Sequence, residues 1–166
     1  MPKERMIELL RELLKNSKRS DRELARILGT SQPTITRTRR KLEKDGYIQQ
    51  YTAVPDLTKV GYEILAFTFM KIIPHEETSG EAKLTEKTHK WTLENPKIIL
   101  AMHGDGLNGK NCTIISLHKD FTDYYTFISE FKGKWSSNMR DVETFLVSLK
   151  AKAVKPFSFR RLEIIS

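Results

Sequence analysis

Only one cysteine, Cys112, occurs in the 166 residues, so no intramolecular disulfide framework is available and a reducing compartment is expected. No apolar run approaches the roughly 20 residues of a membrane span. The opening residues MPKERM are charged where a signal peptide would be apolar, so the expectation is a cytoplasmic protein that engages no membrane. Internal repeats and low-complexity tracts are absent. So is any recognisable catalytic or metal-binding pattern. His103, Cys112 and His118 match no zinc spacing, and no motif sets an acidic partner beside them. GDGLNG, residues 104–109, matches a GxGxxG phosphate loop only in letters, because it lies between two strand-like segments and opens no helix. The expectation is therefore no enzyme, no cofactor and no metal.

What the chain has is positive charge, and that charge is unevenly placed. The net charge is +8, from 29 Lys and Arg against 21 Asp and Glu. Residues 1–54 hold 13 basic and 7 acidic residues, while the remaining 112 hold 16 and 14. A basic excess alone fits membrane surfaces and acidic proteins as well as nucleic acids. Concentrated on one short helical segment, it points to a polyanion such as DNA.

That segment is SDRELARILGTSQPTITRTRRKLEKDG, Ser20 to Gly46. Ser20 followed by Glu23 is a capping box, and Leu24, Ala25, Ile27 and Leu28 give an apolar stripe that Gly29 can end in a left-handed turn. Ser31 is the next N-cap, and Pro33 is tolerated in a first turn because its missing N–H costs no intrahelical bond there. Ile35 and Leu42 lie seven apart on the inward face. Gln32, Thr36, Arg37 and Arg40 then fall on the opposite side, flanked by Thr34, Lys41 and Lys44. Two capped helices joined by a tight turn are a helix-turn-helix, whose second helix enters the DNA major groove. Arg and Gln forks suit base edges, whereas Lys and Thr suit phosphate oxygens. The predicted DNA-contacting set is Ser31, Gln32, Thr34, Thr36, Arg37, Arg40, Lys41 and Lys44.

An upstream helix carrying Met6, Leu9, Leu10, Leu13 and Leu14 braces this pair, and the strand character of YIQQYTAV (47–54) adds a β-ribbon wing. The connector PDLTKVGY (55–62) leads into alternating strand and helix signals. Strands are expected over 63–73, 97–102, 112–118 and 141–154. One helix is expected over 77–94, from Leu84, Thr88 and Trp91, and another after the cap Asp120. The fold class is α+β: a winged helix-turn-helix domain over 1–54, then a ferredoxin-like βαββαβ domain over 63–166. The C-terminal FSFRRLEII either adds an edge strand or covers a neighbour.

With ELARILGTSQPTITRTRRKLEKDGYIQQYTA, the later KVGY and this element order, the chain resembles the Lrp/AsnC (leucine-responsive, feast/famine) transcriptional regulators of bacteria and archaea. The resemblance implies a third helix that reads double-stranded DNA, and a homodimer made by pairing C-terminal sheets, with tetramers or octamers beyond it. It also implies an amino-acid effector near the loop after the second strand, where Gly104, Asp105 and Asn108 are the matching residues. A dimer agrees with the roughly 34–36 Å that separates successive half-sites on one side of a duplex. Two departures stand out. Thr38 and Arg39 replace an Arg followed by an apolar residue, so Arg39 must snorkel, pair or meet phosphate. GDGLNGKN is longer than the family's Gly-x-x-Asp turn. Two alternatives remain open at this point. One is an RNA-binding module with the same βαββαβ topology, given Phe67 and Phe69 on one strand face. The other is an amino-acid-sensing or assembly protein that does not bind DNA.

Overall fold

The computed structural model describes residues 3–73, 79–106 and 108–164, with the backbone alone for Lys3 and residues 79–85. The places expected for Pro2 and for a helix start at 77 lie outside these residues. The chain divides into two compact units, Met1–Val54 with Val154–Ser166, and Pro55–Ala153. The C-terminal segment therefore groups with the first unit, whereas the sequence expectation ran the second domain to 166.

The first unit holds α1 (Lys3–Lys15), α2 (Asp21–Ile27) and α3 (Gln32–Lys44). Their apolar stripes meet in one core of Met6, Leu9, Leu13, Leu24, Ala25, Ile35 and Leu42, with Leu10, Leu28 and Ile48 packed against it. Leu9, Leu24 and Leu42, one from each helix, are fully buried, and truncating such a leucine costs about 2–5 kcal/mol. The capping box forms as the sequence predicts. Ser20 Oγ accepts from Glu23 N–H, and the Glu23 carboxylate accepts from Ser20 N–H at 2.7 Å. Gly29 takes a φ of +60°, which lets Thr30 N–H return to Ala25 O at 2.9 Å and close α2 before the turn.

The expected wing ribbon does not form. Residues 48–56 carry no strand, because no second extended segment pairs with them among the described residues. Ile48 instead packs on the helical core, and Tyr51 Oη donates to Glu43 Oε1 at 2.9 Å.

The second unit orders its elements as β1 (Ile64–Ile72), α4 (Ser79–Glu94), β2 (Ile98–Gly106), β3 (Lys110–His118), α5 (Phe121–Trp135) and β4 (Met139–Ser148). The sheet is antiparallel, with strand order β2-β3-β1-β4, the ferredoxin-like arrangement. On one face Ala66, Met70 and Ile114 pack against Tyr124, Phe127, Ile128, Phe131 and Trp135 of α5. Trp91 of α4 stacks on Phe127 at 6.1 Å between ring centroids. Alternation sends Leu65, Phe67, Phe69, Ile115, Phe145 and Val147 to the opposite face. There Phe145 is 66% exposed, and Met102 of β2 is 55% exposed.

Three boundaries depart from expectation. The Gly-rich loop is mostly strand: Gly106 pairs with Lys110, and Asn108 and Gly109 lie in the turn between them. β4 stops at Ser148, not at 154, because its ladder partner β1 begins opposite it at Ile64. The C-terminal FSFRRLEII adds no edge strand among the described residues.

Candidate nucleic-acid interface

Ser31 caps α3 with β-region backbone, and its Oγ lies 2.8 Å from Thr34 Oγ1 and accepts from Thr34 N–H. Pro33 occupies the first turn as the sequence predicts. The Ser31 and Thr34 hydroxyls are thus engaged with each other, at a helix start whose unpaired N–H groups favour an anion.

Further along the helix, Gln32, Pro33, Thr36, Arg37 and Arg40 line one open concavity of about 550 Å³. Gln32, Arg37, Arg40, Lys41 and Lys44 are all exposed. Arg37, Arg40 and Lys44 form no salt bridge among the described residues. Lys41 is different. Its Nζ lies 2.7 Å from Asp45 Oδ2, and that hydrogen bond and charge raise its pKa.

Thr36 and Arg39 have structural partners that sequence spacing did not reveal. Both reach Asp21, the first residue of α2. Thr36 Oγ1 donates to Asp21 Oδ2 at 2.6 Å, and Arg39 Nε donates to Asp21 Oδ1 at 2.8 Å. Arg39 Nη2 also reaches Arg19 O at 3.2 Å. Burial works to lower the Arg39 pKa, but hydrogen bonds with Tyr51 and Asp21 outweigh it and leave it raised. Arg39 is therefore paired, and with Asp21 it clamps α3 to α2. Pro33, read in the sequence as a first-turn residue, also lines the exposed face. Asp21 was legible only as an acidic first-turn residue beside a capping box.

The three residues matched to an effector site lie together on the β2–β3 hairpin. Gly104 and Asp105 are in strand β2 instead of a loop, and Asn108 sits in the turn with φ +62°. No cluster of metal-ligating side chains occurs among the described residues. Ser116, His118 and Asp123 look like a hydrolase triad by residue type, with Ser116 Oγ 2.8 Å from His118 Nε2. However, Ser116 and His118 are fully buried, and His118 Nδ1 is 3.6 Å from Asp123, so no substrate can reach the hydroxyl. No helix among the described residues is long and apolar enough to cross a membrane.

Residues 3–49 match the family model described as "Winged helix-turn-helix DNA-binding". An uncharacterised HTH-type transcriptional regulator of Pyrococcus abyssi is 31% identical over 144 residues, 86% of this chain and 89% of that one. The leucine-responsive regulatory protein of Rhizobium meliloti is 31% identical over 87 residues, 52% of this chain and 55% of that one. Among solved structures, an AsnC family transcriptional regulator from Agrobacterium tumefaciens superposes with a TM-score of 0.75 at 20% identity, covering 99% and 97% of the two chains. A transcriptional regulator from Neisseria meningitidis, solved as an L-Met complex, gives 0.76 at 17% identity and 94% of each chain. These two structures share the fold.

Proposed function

This chain belongs to the Lrp/AsnC family of DNA-binding transcriptional regulators, and we propose that it reads a specific duplex sequence with α3 from each of two subunits. The observation that carries this reading is the exposed face of α3. There Gln32, Arg37 and Arg40 share one concavity, while Arg39 is held inward by Asp21. In this reading Arg37 and Arg40, with Gln32 and Thr36, contact base edges and the adjoining phosphates. Lys41 and Lys44 contact phosphates only, and Ser31 and Thr34 present the helix N-terminus to a phosphate. The site of action is the cytoplasm, and the reading contains no enzymatic step.

The open face of the second unit's sheet supports the dimer. Phe67 and Phe145 are cross-strand partners there, and exposed Met102 extends the apolar surface. A contiguous apolar patch on a sheet face is the type of surface that a second copy covers. Tetramers or octamers would build on that dimer. An amino-acid effector at Gly104, Asp105 and Asn108 is supported by their common place on one exposed hairpin, and by the L-Met complex of the Neisseria regulator.

Purified protein should be mixed with genomic fragments and non-specific competitor across a salt series. Recovery of a few fragments sharing a pseudo-palindrome is the expected result. Equal recovery of all fragments would remove sequence specificity. Absence of duplex binding at low salt would remove the assignment of α3.

A further inference from the structure

The chain's net positive charge lies wholly in one of its two units. The unit formed by Met1–Val54 and Val154–Ser166 holds 16 basic and 8 acidic residues, while Pro55–Ala153 holds 13 of each. The C-terminal segment thus adds cations to the unit that already contains α3. Segments of like charge repel, so a unit that gathers them is matched to an anionic partner that neutralises both.

The segment also has local structure that presents its cations. Arg160 N–H donates to Ser158 Oγ at 3.1 Å, and Leu162 N–H returns to Phe159 O at 3.0 Å. That second bond closes a β-turn with Arg160 and Arg161 at its two central positions. Both arginines are exposed, as is Lys155, and none of the three forms a salt bridge among the described residues. Phe157 and Phe159 sit beside the turn, edge to face at 5.0 Å, and are 69% and 54% exposed. Apolar rings interleaved with guanidinium groups suit the edge of a duplex, where sugar carbons alternate with phosphate oxygens.

We propose that Val154–Ile164 is a second DNA-contacting element, an arm whose Arg160 and Arg161 bind duplex phosphates in addition to those engaged by α3. The inference rests on the DNA-binding reading of α3 and extends the contacted surface beyond the helix-turn-helix. The phosphate contacts carry no sequence information. They add affinity and salt dependence to any duplex.

The test uses the full chain and a labelled random-sequence duplex, titrated across a salt series. R160A/R161A should bind more weakly at low salt and reduce the slope of log affinity against log salt by about 2, roughly 0.9 for each lost phosphate contact. R160K/R161K keeps both charges and should restore the slope. A wild-type slope in R160A/R161A overturns the proposal. F157A/F159A should weaken binding with the slope unchanged. If it instead lowers the oligomeric state by light scattering and leaves binding intact, the arm covers a second copy and the proposal fails. K44A separates the two readings. Loss of slope in K44A but not in R160A/R161A sinks only the arm, whereas absence of duplex binding by the wild-type chain sinks both.

Discussion

Arg39 Nε donates to Asp21 Oδ1 at 2.8 Å, joining residues 18 positions apart and locking the crossing of α2 and α3. Asp21 also accepts from Thr36, and Arg39 also reaches Arg19 O, so one carboxylate and one guanidinium tie both helices and the preceding loop. A recognition helix works only if its approach to the groove is set before binding, and this pair supplies that constraint.

Asp21→Ala leaves Arg39 and Thr36 without their shared acceptor in a partly buried place. It should destabilise the first unit by about 1–3 kcal/mol. Asp21→Ala with Arg39→Ala should cost less than the sum of the single changes, since the orphaned charge is gone. Both tryptophans, Trp91 and Trp135, lie in the second unit, so their fluorescence does not report this loss. Urea unfolding followed by far-UV circular dichroism is the suitable measurement. Equal stability of Asp21→Ala and wild type would show the clamp to be idle.

Arg37→Ala and Arg40→Ala should each cost about 1–3 kcal/mol of binding where the arginine forks onto a guanine, and should relax preference at one base position. Lys44→Ala should weaken all sequences alike and reduce the salt slope by roughly 1. Lys41→Ala should change the slope less, because Asp45 already holds that ammonium. Binding to a library of randomised duplexes, sequenced at several salt concentrations, distinguishes the two classes of residue. A uniform loss from Arg37→Ala would reassign Arg37 to phosphate.

Phe145 lies opposite Phe67 on the open sheet face. Phe145→Glu places a carboxylate on the surface assigned to the dimer, so monomers are expected at micromolar concentration with the fold intact. Light scattering with circular dichroism checks both parts. A variant that remains fully dimeric would move the interface elsewhere.

His118 is fully buried against Phe127 and Tyr124, and burial holds its imidazole pKa below the ordinary 6.5, with Asp123 opposing the shift. The unfolded chain therefore takes up this proton first as pH falls. The contribution to stability is complete above about 6.5 and is lost as pH drops through that value toward the folded pKa. Asp123, itself held low chiefly by Lys97 against the effect of burial, stays ionised through this window. Tryptophan fluorescence should show the second unit less stable at pH 5.5 than at 7.5, and His118→Gln should flatten that difference. An unchanged pH profile in His118→Gln would assign the effect to other groups.

Legibility differed from element to element for physical reasons. The Ser20–Glu23 box, the Ser31 and Asp120 caps and the Gly29 stop were readable because each is completed within a few residues. YIQQYTAV looked like a strand from its β-branched and aromatic residues, yet strand propensity is realised only against a partner, and none pairs with it. The same reason cuts β4 at Ser148 although apolar alternation continues beyond. GDGLNGKN resembled a loop from its glycines, but the Gly106–Lys110 register absorbs most of it into the hairpin.

The sequence by itself determined the order of the helices and of the four paired strands, the inward and outward faces of α3, and the concentration of charge near the N-terminus. These follow from periodicity, capping and composition, which are local quantities. Only the tertiary structure decided that Arg39 pairs with Asp21, that Thr36 is tied to the same carboxylate, and that the C-terminal segment groups with the helical unit. Each of these joins residues far apart in the chain. Such pairings depend on how elements cross, which no short window of sequence contains.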